Sequence, residues 1–209
     1  MIVAVTVEAK GSRDTVNGGA LPNYFYRLSV RAQRIWLKSN SIDRYELVPD
    51  AATFSLTAAL IAALQSGAPL LIERAAQALA DRICGLTGVR GVRVEVRGVR
   101  PHNTRGELHG IFYPRGPSPG PGAPLIILWM RTAQRHEVVK PKTFLRTLMH
   151  ELGHYFDYAL LQLGESFHTT GFFRRESFLV RILSSAQPTA SPGGSGTPSE
   201  KPKTITNSY

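Results

Sequence analysis

Apolar and polar positions change rhythm twice along the chain, and each change marks a new kind of element. Residues 51–65 are rich in Ala and Leu and stop at Gly67, which predicts a helix. Residues 69–84 predict a second one. Pro69 suits a first turn, and Leu71, Ala75, Ala78, Leu79 and Ile83 form an apolar stripe that ends before Gly85. The rhythm then shortens to two. Val92, Val94 and Val96 alternate with Arg93, Glu95 and Arg97, the pattern of a half-buried strand. Residues 107–113 predict another strand, and the Pro- and Gly-rich stretch 114–124 is a loop too rich in proline to pair. Leu125–Arg131 is a continuous apolar strand of the kind found inside a sheet. The longer rhythm returns over 142–163, a helix broken at Gly164, and over 171–183, the last helix. Residues 2–7 alternate weakly and predict a strand, whereas 24–37 fit helix or strand equally, and the first fifty residues are the least readable. Helices, then strands, then two helices predict an α+β domain, a small mixed sheet of about three to four strands packed on helices.

That domain is expected to span residues 1–183. Residues 184–209 are rich in Ser, Pro, Gly and Thr and are expected to be a disordered tail, because they cannot bury enough surface to offset the entropy of ordering. The apolar fraction of 43% is that of a globular chain. The longest apolar runs fall far short of the roughly 20 residues a spanning helix needs, so no membrane partner is expected. The apolar start has no preceding basic residue and no small-residue cleavage pattern, and reads as a strand instead of a signal peptide. The single cysteine, Cys84, excludes an internal disulfide and a Cys-rich zinc finger, and fits a reducing, cytoplasmic location. A formal charge of +10 suits an acidic partner such as nucleic acid, or simply arginine on solvated faces. The spacing carries no RNP, helix-turn-helix or finger pattern.

Chemistry concentrates at residues 150–154, His-Glu-Leu-Gly-His. Histidines four apart share one face of a helix and can converge on one ion. Glu151, offset by about 100° around the helix, can reach a water beside that ion without being a ligand itself. This is the arrangement of a zinc-dependent hydrolase, with the metal acidifying water and Glu151 moving protons. The motif sits among Phe144, Leu145, Leu148, Leu152, Phe156 and Leu160, an apolar helical context. A catalytic zinc takes a third protein ligand. The metzincin position is Leu160, which excludes that family. Two alternatives stay open. From His154 to residue 163 a helix travels about 13 Å, and an extended return over 164–168 brings His168 back to the metal. Glu176, one turn into the next helix, is the rival. Asp157 is read as an outer partner orienting a ligand imidazole or as a solvated charge. Tyr155 and Tyr158 serve either as oxyanion donors or as packing. His102, His109 and His136 have no partner at ligand spacing and are expected at the surface.

Residues 147–180 (TLMHELGHYFDYALLQLGESFHTTGFFRRESFLV) resemble the core of the SprT-like and related minimal zinc metallopeptidases. His168, Gly171 and Phe172 match a layout in which a third histidine opens the next helix, with a glycine and an aromatic close behind. The resemblance implies a zincin-like fold, a bound zinc ion and a protein or peptide substrate. It also implies that Leu125–Arg131 or its neighbour at 107–113 lies along the substrate as an edge strand. SprT-like proteases often act on DNA-bound proteins, which the basic charge would suit. No Cys-based zinc ribbon follows the core, and the N-terminal half lies outside the resemblance.

Overall fold

Capping chemistry sets the helix starts. The Asp50 side chain accepts from the Thr53 amide while Thr53 reaches back to the Asp50 amide, a reciprocal box that opens α2, Ala51–Ser66. Arg82 pairs with the same carboxylate. Gly67 closes the helix at φ 65°, a conformation only glycine adopts freely. Pro69 then begins α3, Pro69–Leu86, as its missing N–H allows. Upstream, Ser29 caps α1, Val30–Ser41, which buries Ala32, Trp36 and Ser39 on one side.

The computed structural model describes residues 3–6, 21–104, 106–117 and 122–185. Of residues 184–209, read as a disordered tail, Ser184 ends the last helix and Ser185 caps it, and residues 186–209 lie outside the described residues. The strands are β1, Val3–Thr6; β2, Arg93–Val99; the two-residue β3, His102–Asn103; β4, Gly106–Tyr113; and β5, Leu125–Arg131. They form one mixed sheet in the order β1-β4-β5-β2, with β3 paired to β4. β5 runs parallel to β2 and antiparallel to β4. Its apolar sequence follows from that inner place. Ile126, Leu128 and Met130 enter the main core under the helices, and Leu125, Ile127 and Trp129 join Ile111 in a smaller cluster on the opposite face. The helices α4, Pro141–Ala159, and α5, Thr170–Ser184, complete the α+β domain. Among the described residues no helix is long and apolar enough to cross a membrane.

One open reading is resolved and others change. Residues 24–37, readable as either helix or strand, hold a short 3-10 turn at Phe25–Arg27 followed by α1. The helix expected over 142–163 stops at Ala159. Its last carbonyls are taken by wider returns than the helical i−4 bond, the Leu161 amide on Phe156 and the Leu163 amide on Asp157, with Gln162 at φ 52°. The chain unwinds before Gly164 because turning there buries Leu163. The expected free edge strand is also absent from the described sheet. β5 is internal, and β4 is paired on its outer side with β1, Val5 opposite Gly110. At the other margin, Gln77 and Glu73 of α3 accept from the Val94 and Val96 amides and close β2.

Candidate metal centre

Helix α4 is buried on every side from Leu148 to Asp157, so its polar side chains there need partners. His150 and His154 find them in each other and in His168. The three Nε2 atoms stand 3.1, 3.1 and 3.0 Å apart, a nearly equilateral triangle. Nitrogens at these separations lie on a circle of radius about 1.8 Å, shorter than a Zn–N bond of 2.0–2.1 Å, so the three could hold one metal ion such as zinc. Three neutral imidazoles are also a donor set zinc favours. His168 lies on the exposed side of the triangle, and His150 and His154 on the buried side.

The loop that carries His168 leaves α4 at Leu160 and enters α5 at Thr169, whose hydroxyl accepts from the Phe172 amide as the helix cap. This brings Phe172 under the site. Its ring centroid is 5.0, 4.7 and 5.2 Å from those of His150, His154 and His168. Gly153, inside the motif, makes room for it, since a Cβ there would meet the Phe172 ring at 3.2 Å. Phe173, nearly half exposed, stacks on His168.

Glu176 does not join the triangle. Its Oε2 accepts from His150 Nδ1 at 2.7 Å, on the far side of the ring from Nε2, and its Oε1 accepts from Arg146 at 3.0 Å. Of the two open alternatives, His168 stands where a third ligand would, and Glu176 holds His150 in place. Asp157 is fully buried and takes no part in solvation. Its Oδ2 accepts from the Ser166 hydroxyl at 2.6 Å, and Ser166 Oγ lies 2.7 Å from His154 Nδ1. Burial pushes the Asp157 carboxyl up to about 6, against the opposing pull of Arg175 and Ser166. Tyr155 gives its hydroxyl to the Arg90 carbonyl at 2.6 Å and packs on Phe112, as Tyr158 also does, so both act as packing.

Among the buried polar side chains of α4, Glu151 is the one without partners. It has no exposure, and neither carboxylate oxygen has a hydrogen-bond partner. Burial, then the charge of Glu176, raise its pKa well above the ordinary carboxylate value. Gly110 of β4 lies directly against it: a Cβ there would stand 2.7 Å from Glu151 Oε1.

Of the outlying histidines, His102 and His136 are exposed as expected. His109 is half-buried, 3.2 Å from an Arg100 nitrogen, and burial with that guanidinium holds its pKa down to about 4. Sequence reasoning missed Ser166, Arg175 and Arg146. Their carboxylate partners lie 9 to 30 residues away across a loop or another helix, separations that no periodicity marks.

No family model, curated protein or solved structure matches the chain.

Proposed function

We propose that the chain is a zinc-dependent peptidase of the SprT-like, zincin kind, with His150, His154 and His168 as ligands and Glu151 as general base. The observation that carries this reading is the unpartnered, fully buried carboxylate of Glu151 on the α4 turn whose His150 and His154 converge with His168 of the following loop. A buried carboxylate without partners costs several kcal/mol unless something present in the working state satisfies it. When bound, zinc supplies Lewis acidity, acidifying water and polarising a carbonyl. Glu151 would accept a proton at Oε1 or Oε2 from the attacking water and return it to the leaving amine. Its raised proton affinity suits both halves of that exchange. Glu176 and Ser166, on the Nδ1 atoms of His150 and His154, would keep the Nε2 lone pairs directed at the ion. A peptide entering as a strand beside Gly110 would have to take the place of β1 on β4.

Substitution Glu151→Gln tests the reading with the purified chain, zinc analysis and an unstructured protein substrate. The expected result is a folded protein with one zinc per chain and peptide cleavage reduced by at least about a hundredfold. Wild-type protein without stoichiometric zinc, or cleavage that survives the substitution, would refute it.

A second reading is favoured by one surface. Arg27, Arg31, Arg34 and Lys38 are exposed on and just before α1, beside the exposed Tyr24 and Tyr26, and residues 21–42 contain no acidic side chain. An anionic polymer such as nucleic acid would suit this face. Salt-sensitive nucleic-acid binding by Glu151→Gln protein in the absence of any wild-type cleavage would favour it.

A further inference from the structure

Resting on the zinc reading above, we propose that Ser166 is the positioning residue for His154, and that Asp157 and Arg175 hold it there, with Arg175 anchored on the C-terminal end of α1.

Proton accounting carries the inference. Ser166 Oγ lies 2.6 Å from Asp157 Oδ2 and 2.7 Å from His154 Nδ1. An ionised carboxylate only accepts, so the single hydroxyl proton of Ser166 points at Asp157. Toward His154 the serine oxygen can then only accept, and Nδ1 must carry the imidazole proton. Nε2, the atom in the triangle, is left with its lone pair free. Glu176 imposes the same tautomer on His150 by direct contact. Two metal-facing lone pairs are therefore set by carboxylates, one directly and one through a hydroxyl.

The relay does not end at Asp157. Its Oδ1 accepts from Arg175 Nη2 at 2.9 Å. Arg175 Nη1 donates to the Ser39 and Ile42 carbonyls at 2.6 and 2.7 Å, and Nη2 also to Ser39 Oγ at 3.0 Å. These groups sit on the last turn of α1 and just beyond it. Arg175, Asp157 and His154 have no exposure, and the Tyr45 and Phe172 rings lie against the guanidinium. A buried ion pair is a poor source of stability, because desolvating both charges offsets their attraction, and an apolar pair of similar volume does as well. Its value here is direction. The planar guanidinium fixes the carboxylate, the carboxylate fixes the hydroxyl, and the hydroxyl fixes the imidazole. Helix α1, which contributes no metal ligand, thereby becomes part of the metal centre.

Two measurements on the full chain test the relay. The first is zinc affinity, by competition with a chromogenic chelator, for wild type, Ser166→Ala and Ser166→Thr, with circular dichroism to confirm folding. Ser166→Ala should bind zinc about 10–100-fold more weakly, the range for losing an outer partner of a ligand, and Ser166→Thr, which keeps the hydroxyl, should recover most of the loss. Folded Ser166→Ala protein with wild-type affinity would overturn the proposal. The second needs no variant. In metal-free wild type at neutral pH, nitrogen-15 NMR of the His154 ring should show a proton on Nδ1 and none on Nε2. The opposite tautomer overturns the relay even where Ser166→Ala does not fold. The tautomer is readable in a chain that binds no zinc at all, so failure of the zinc reading and failure of the relay are separate results.

Discussion

Gly110 offers the sharpest test of how the sheet positions the chemistry. Replacing it with alanine adds one methyl group between β4 and α4. That carbon would stand 2.7 Å from Glu151 Oε1, 2.8 Å from Thr147 Cγ2 and 3.0 Å from Glu151 Cγ. Ordinary carbon contacts begin near 3.5 Å, so the shortfall is about 0.5–0.8 Å at three atoms at once. The strand cannot simply retreat, because Phe112, two residues on, is fully buried in the core. Glu151 must give way, and it is enclosed too. Overpacking of this kind costs about 1–3 kcal/mol, and alanine recovers about 0.5–1 kcal/mol of backbone entropy relative to glycine. The net loss is roughly 0–2.5 kcal/mol, a fall in Tm of up to about 10 °C for a domain of this size. If Glu151 is the general base proposed above, activity should suffer far more than stability, since displacing a catalytic group by about 1 Å can lower turnover a hundredfold. Zinc affinity should be unchanged, because the triangle of Nε2 atoms lies on the other residues of the site. Thermal melting, chelator competition and a cleavage assay on one preparation of Gly110→Ala measure all three. Wild-type turnover would refute the placement of Glu151 against β4. Parallel loss of zinc and turnover would show that the methyl group disturbs the whole centre.

Two further predictions concern stability. His109 titrates at about 4 in the fold against 6.5 unfolded, so the unfolded chain binds the extra proton first as acid is added. The associated stability is complete above pH 6.5 and is lost as pH falls from there toward 4, by up to roughly 3 kcal/mol at 1.36 kcal/mol per unit. Urea melts of wild type and His109→Gln across this window should differ in slope, and identical slopes would contradict the assignment. Gly171→Ala should be the harsher glycine substitution, because its Cβ would meet the Ser39 and Asn40 carbonyls at 2.4 and 2.6 Å, backbone that no rotamer change can clear. A loss at or beyond the upper end of the usual overpacking range, about 3 kcal/mol, is expected in thermal melts; a variant as stable as wild type would mean that α1 and α5 can separate at no cost.

Much of the fold was legible because it depends on local rhythm. The stripe in α3, the alternation in β2 and the continuous apolar run of β5 each answer to neighbours one turn or one pleat away. α1 was harder. Its buried positions 32, 36 and 39 do recur at helical spacing, but Gln33, Arg34 and Lys38 between them dilute the stripe. The spacing of His150 and His154 settled by itself that two imidazoles share a face, and Glu151 followed from the helical pitch.

Tertiary structure decided what depended on where chain segments return. Both His168 and Glu176 were within reach of the pair along the sequence. Only the early unwinding of α4 at Leu160 and the cap at Thr169 put an imidazole at the triangle and the carboxylate behind His150. The pairing of β4 with β1, the burial of Asp157 and the line from Ser39 through Arg175 to His154 join residues up to 136 positions apart. Helical and pleated periodicities reach one or two turns, whereas a buried charge takes whichever partner folding delivers, and that choice is made in three dimensions.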